Sequence, residues 1–273
     1  PNNPQSGSNP GGGGAGHGNN EDPSNTTITN PIPCYKVNAD CPELVVKDPC
    51  EKLNDLIQDD TANNGLVPNI KPTLENLKTT LSQPGENGAQ FKKNNGSYSN
   101  VNLPATTGNS ISITAGGDSY GAAHTHPFST FPMFSWSDVY TLFNLHWHSE
   151  ADIKGDVTFI LIAYPTLASA QPNVYSITVD NFNAFRSKIN ANLNAIVAER
   201  KDLTMTSPLK DKIEALNEKL GEEYRADTNY EKVFLEQFGD HNISMYKANE
   251  DITDWSELEL NESLGTVFET PCN

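Results

Sequence analysis

Between Gly155 and Pro165 the chain runs Val157-Thr158-Phe159-Ile160-Leu161-Ile162-Ala163-Tyr164, apolar on successive residues rather than alternate ones. That pattern predicts a central strand buried on both faces. Asn173-Val174-Tyr175-Ser176-Ile177-Thr178-Val179 alternates and should pair beside it. Ser110-Ile111-Ser112-Ile113-Thr114 alternates as cleanly and predicts another strand. Ala89–Lys93 and Ser97–Val101 flank Asn94-Asn95-Gly96, the signal of a hairpin. Ser119-Tyr120-Gly121-Ala122-Ala123 is small and uncharged and reads as a buried strand leading to His124. Ile243–Lys247 looks like a closing strand.

Elsewhere the period changes to three and four. Cys50–Ile57 and Pro72–Lys78 read as short helices, the second with proline in its first turn. Phe182, Phe185, Ile189, Leu193 and Ile196 mark an amphipathic helix over residues 181–201. Further helices are expected over residues 209–224 and 230–238. Ser137 and Asp138 precede the apolar-periodic run Val139–Leu145, a helix start with polar cap and early negative charge. Strands joined by short turns, then helices, give an α/β (α+β) fold with a mixed sheet flanked by helices.

The organisation expected is fourfold. Residues 1–30, rich in Gly, Asn, Pro and Ser, form a flexible tether. Residues 31–84 form a cysteine-containing helical cap, residues 85–180 the core, and residues 181–273 helices and a closing strand packed on that core. His17, alone in the tether, is incidental.

Composition narrows the function. A net charge of −17 over 273 residues argues against a nucleic-acid partner, which needs Lys/Arg patches. Hydrophobic content of 36% and charged content of 19% fit a soluble globular protein. No run of about 18 apolar residues is present, so no transmembrane segment is expected. The chain starts at Pro1 rather than Met, and the expectation is a processed product that has lost a signal peptide or a lipid-anchored N-terminus. Cys34, Cys41, Cys50 and Cys272 flank the core, an even count that points to two disulfides in an oxidising compartment. One of the bonds would tie Cys272 to Cys34, Cys41 or Cys50. The localisation expected is therefore exported: periplasmic, cell-surface or extracellular.

The candidate chemistry lies in His124-Thr125-His126-Pro127, followed by Ser135-Trp136-Ser137-Asp138. Residues two apart on a strand share a side, so both imidazoles face one way. Two neutral histidines and one carboxylate are good ligands for Zn2+, and a fourth position left to water is the pattern of a catalytic site. A second pair, His146 and His148, falls in the expected helix. There the two residues diverge by about 200°, so they are read as non-ligands, at most on the cleft rim. His241 is the sole histidine further on.

The run His124-x-His126-Pro127…Ser135-x-x-Asp138 resembles the signature of the JAMM (JAB/MPN-type) zinc metallopeptidases. Eight residues separate His126 from Ser135, one more than is commonest in that family, and a loop absorbs the insertion. The resemblance implies a curved mixed sheet of the JAMM/cytidine-deaminase type, covering roughly residues 86–180. It implies His124, His126 and Asp138 as metal ligands, Ser135 as a stabiliser of the oxyanion, and a strand glutamate as base. Glu75 and Glu86 are the glutamates available between the first helix and His124. Glu75 sits in a helical pattern, whereas Glu86 lies 38 residues before His124 where a strand begins, and Glu86 is taken as the base. The implied activity is hydrolysis of a peptide or isopeptide bond. In an exported protein a peptide or a cell-wall-type amide fits better than a ubiquitin-like conjugate. Two other classes stay open: an inactive binding module on the same fold, and a metal phosphoesterase built on H-x-H.

Overall fold

The structure, a computed structural model, describes residues 48–58, 65–106, 108, 110–166 and 168–272. The expected tether, Cys34 and Cys41 lie outside the described residues. Residues from Val46 onward form one unit. Eight strands make one mixed sheet in the order β2-β1-β3-β4-β5-β6-β7-β8. They are β1 (Gly88–Asn94), β2 (Ser97–Asn102), β3 (Ser119–His126), β4 (Thr158–Ala163), β5 (Asn173–Val179), β6 (Ile243–Ala248), β7 (Trp255–Asn261) and β8 (Thr266–Pro271). The helices are α1 (Pro49–Leu56), α2 (Lys71–Lys78), α3 (Trp136–His148), α4 (Phe182–Glu199), α5 (Leu209–Ala226) and α6 (Tyr230–Phe238).

β3 and β4 are the one parallel pair, joined by a crossover through α3; the other neighbours are antiparallel. Every residue of β3 and β4 is buried, as the unbroken apolar run required. The alternation of β4 divides the core in two. Phe159 and Leu161 pack with α3 to α6, and Ile160 and Ile162 pack with α1 and α2. Each such fully buried side chain contributes about 1.5–3 kcal/mol. Both sheet faces are thereby covered by helices, which is why the central strands show no polar face. Lys52 of α1 is buried as well; its ammonium donates to the Val157 carbonyl at 2.8 Å, and burial lowers its pKa to about 8.

Two expectations need correction. Residues 110–115 alternate inward and outward but are not a strand. β1 already pairs with β2 on one side and β3 on the other, so the segment finds no free edge on β1. Ile113 packs instead against the core, and the Gln90 side-chain amide donates to the Thr114 carbonyl. Secondly, β6 does not close the sheet. The stretch read as a tail forms the hairpin β7–β8, turning through Gly265 at φ +62°. β8 is almost wholly exposed, so no hydrophobic alternation announced it.

Cys272 pairs with Cys50, their Cα atoms 5.1 Å apart and 222 residues apart in sequence. The bond ties the last strand to the first helix. A cross-link over so long a loop is worth about 2–4 kcal/mol. Replacing both cysteines with serine is expected to lower Tm by roughly 5–15 °C for a unit of this size. Peptide mapping without reductant should recover the Cys50–Cys272 cross-link; free thiols at both positions in oxidised protein would contradict it.

Candidate metal centre

The centre lies where β3 ends and α3 begins, outside the carboxyl end of the parallel pair, a usual place for a ligand in such sheets. His124 and His126 project from the last turn of the pleat on one side, as their spacing dictates. Nine residues later Ser135 caps α3. Its Oγ accepts from the Asp138 N–H at 3.3 Å, and the Asp138 carboxylate accepts from the Ser135 N–H at 2.7 Å. This is a capping box with aspartate in place of glutamate. The Ser135 hydroxyl also donates to Asp138 Oδ2 at 2.8 Å. With Oδ2 held twice, the carboxylate is oriented toward the imidazoles. One local motif thus starts the helix and aims the third ligand.

His124 Nε2 is 3.0 Å from His126 Nε2 and 3.3 Å from Asp138 Oδ1, and His126 Nε2 is 3.7 Å from Asp138 Oδ2. All three residues are buried, and their ligand atoms lie within 4.8 Å of one another. This group can hold a metal ion. Donor atoms at about 2.0–2.2 Å from a shared tetrahedral ion stand about 3.3–3.6 Å apart, and the observed 3.0, 3.3 and 3.7 Å bracket that spacing. The tautomer fits too. His126 Nδ1–H donates to the Phe131 carbonyl at 2.7 Å, leaving the Nε2 lone pair facing the centre. Two nitrogens face each other at 3.0 Å here, an arrangement that a proton or a cation must bridge.

The electrostatics follow from that crowding. Burial lowers the His126 pKa to about 4, and the neighbouring His124 adds to the effect. Burial also acts against charge on His124, but the Asp138 carboxylate and Glu86 outweigh it and raise its pKa. Nδ1 of His124 makes no hydrogen bond of good geometry, although the Ile160 backbone nearby favours the protonated ring. Burial works against the Asp138 charge; the two imidazoles and the Ser135 N–H overcome it and hold the carboxyl far below its usual range. A positive helix N-terminus acts in the same direction.

Glu86 sits two residues before β1, 5% exposed, with Oε1 4.0 Å from His126 Nε2. Burial pushes its pKa up to about 7; His124 opposes this and Asp138 reinforces it. Its position is fixed by Asn87, whose N–H donates to Thr125 Oγ1 at 3.0 Å and whose carbonyl accepts from the Thr125 N–H at 2.9 Å. The strands approach so closely here that a Cβ on Gly88 would lie 2.7 Å from the Ala123 carbonyl oxygen. Glu75, by contrast, pairs with Lys78 on α2 and does not line the cleft.

These residues open onto a cleft of ≈ 580 Å³. His146 and His148 do not line it. His146 stacks on Phe182 with ring centroids 4.3 Å apart, and burial lowers its pKa to about 3. His148 is exposed. The sequence did not foretell that α5 and α6 supply much of the cleft wall, through Asn217, Leu220, Gly221, Tyr224 and Tyr230. The available signal was a glycine inside a strong helical pattern. Among the described residues no helix is long and apolar enough to cross a membrane. No family model, no curated protein and no solved structure matches this chain.

Proposed function

We propose that this chain is a zinc-dependent metallopeptidase of the JAMM type, acting on a peptide or isopeptide bond in an exported setting. One observation carries the reading. A buried His-His-Asp group at the junction of β3 and α3 and a separate buried glutamate just before β1 share one cleft. The strand–loop–helix order of His124, His126, Ser135 and Asp138 supports a JAMM-like core within the mixed sheet. The Cys50–Cys272 bond is compatible with an oxidising compartment.

Zinc, when bound, polarises a carbonyl and lowers the pKa of a water to about 7. His124, His126 and Asp138 would hold the ion, and the Phe131 carbonyl and the Ser135 cap hold those side chains in turn. Glu86, with a carboxyl whose pKa lies near 7, takes a proton from water in the cleft at Oε1 and returns it to the leaving amine. Ser135 has two roles open to its hydroxyl. It orients Asp138 as it stands, and on rotation it can donate to the oxyanion while its N–H keeps Asp138 in place.

The test is a screen of the zinc-loaded protein against a library of internally quenched peptides. Cleavage is expected, lost on chelation and restored by zinc. No cleavage by protein that demonstrably holds zinc would favour the binding-module reading. Cleavage of phosphate esters in place of peptides would favour the phosphoesterase.

A further inference from the structure

Away from the histidines the cleft is walled by one face of α5. Asn217, Leu220, Gly221 and Tyr224 recur at three- and four-residue steps and so share that face. Tyr230 of α6 and the ring of Phe131 complete the wall. Phe131 lies 5.3 Å from Tyr224 and 6.0 Å from Tyr230 between ring centroids. The Phe131 carbonyl is also the group that fixes His126. Tyr224 Oη donates to the Phe134 carbonyl at 2.8 Å and pins the other end of the same loop. The aromatic wall is therefore built into the support of the metal centre.

Gly221 lies inside an 18-residue helix, where glycine is a poor choice for stability. Its place in the cleft gives a reason. A Cβ there would meet Phe131 Cε2 at 3.4 Å and Arg225 Nη2 at 3.5 Å, ordinary contact distances. A methyl group fits; a longer side chain must enter the cleft. Arg225 flanks this face, its guanidinium 5.9 Å from the Phe131 ring centroid, while Leu220 and the rings of Phe131, Tyr224 and Tyr230 supply the wall itself. An apolar side chain that enters there meets a surface of matching chemistry.

We propose that the α5 face around Gly221, with Phe131 and Tyr230, is a subsite for one large uncharged apolar side chain, aromatic or branched aliphatic. The side chain belongs to an internal residue of a peptide beside the bond at the metal centre. That placement rests on the metallopeptidase reading; the subsite's preference does not.

The experiment measures binding rather than turnover. Acetylated, amidated hexapeptides varying at one internal position are titrated into zinc-loaded protein carrying Glu86→Gln. Phe, Tyr and Leu peptides should bind at least tenfold more tightly than Gly and Asn peptides; a Glu peptide that binds as tightly as the Phe peptide would assign the site to Arg225 and overturn the proposal. Adding Gly221→Leu should erase that preference, while Gly221→Ala should keep it. Zinc content and Tm show whether Gly221→Leu is folded; if it is not, Tyr230→Ala and Asn217→Leu replace it, each expected to reduce the preference. A flat profile, or a preference that survives these substitutions in folded protein, overturns the subsite. Cleavage by the parent with a flat profile rejects the subsite alone. Preference without any cleavage rejects the peptidase and leaves the subsite standing.

Discussion

Protein purified without chelator is expected to hold about one equivalent of zinc, and protein carrying His126→Ala is expected to hold none. The expectation follows from how much of the centre depends on that ring. Its Nε2 is one of three donors, 3.0 Å from the His124 donor. Its Nδ1–H anchors the Phe131 carbonyl and with it the loop between β3 and α3. Loss of an outer partner alone typically weakens metal affinity about 10–100-fold, and loss of a ligand should exceed that. Asp138→Asn should also fall at least about 100-fold, because it removes the charge while the Ser135 cap keeps the amide in place. Zinc at about a thousand times its Kd should stabilise the parent by about 4 kcal/mol, a Tm rise that His126→Ala does not show. His148→Ala is the control, since His148 is exposed and off the cleft. Metal-free parent protein after zinc has been supplied and excess removed would end the metal hypothesis. Equal zinc in parent and His126→Ala would do so too.

How far the sequence reached depended on whether each signal was local. The double burial of β4 was legible because five successive residues, Phe159 to Ala163, are apolar. His124 and His126 were legible because strand geometry alone puts them on one side. Asp138 was legible because a cap and its helix are consecutive in sequence. What failed was the choice of partner. Residues 110–115 carry the alternation of a strand, but only the completed sheet reveals that both edges of β1 are taken. β7 and β8 were missed because an exposed edge hairpin needs few apolar residues. The wall made by α5 was missed because Leu216 and Leu220 gave the helix one evident face, while Asn217, Gly221 and Tyr224 look unremarkable until the fold brings Phe131 against them. Composition located the disulfide only to three alternatives; Cys50 is the described partner because α1 packs on β7, next to β8.

Glu86→Gln is expected to keep zinc and lose about 10²–10⁴ in kcat, the usual worth of a general acid–base group. Glu86 stands outside the ligand group, its nearer oxygen 4.0 Å from His126 Nε2, so the amide leaves the three donors untouched. Glutamine keeps the shape and the burial. It lacks a carboxylate that can take a proton near pH 7, the property that burial gives Glu86. Little change in Tm is expected. Ser135→Ala should behave differently. The Asp138 carboxylate keeps the Ser135 N–H, so zinc is retained, but the helix loses a cap worth about 1 kcal/mol, or roughly 2–4 °C in Tm. If the hydroxyl also holds the oxyanion, turnover falls a further 10²–10³ or so. Glu75→Gln serves as control, being paired with Lys78 on α2 away from the cleft. Metal content, Tm and kcat on one peptide therefore separate ligand, cap and base. Full turnover by Glu86→Gln with zinc bound would remove the proton carrier from the proposed mechanism, because among the described residues Glu86 is the sole glutamate lining the cleft.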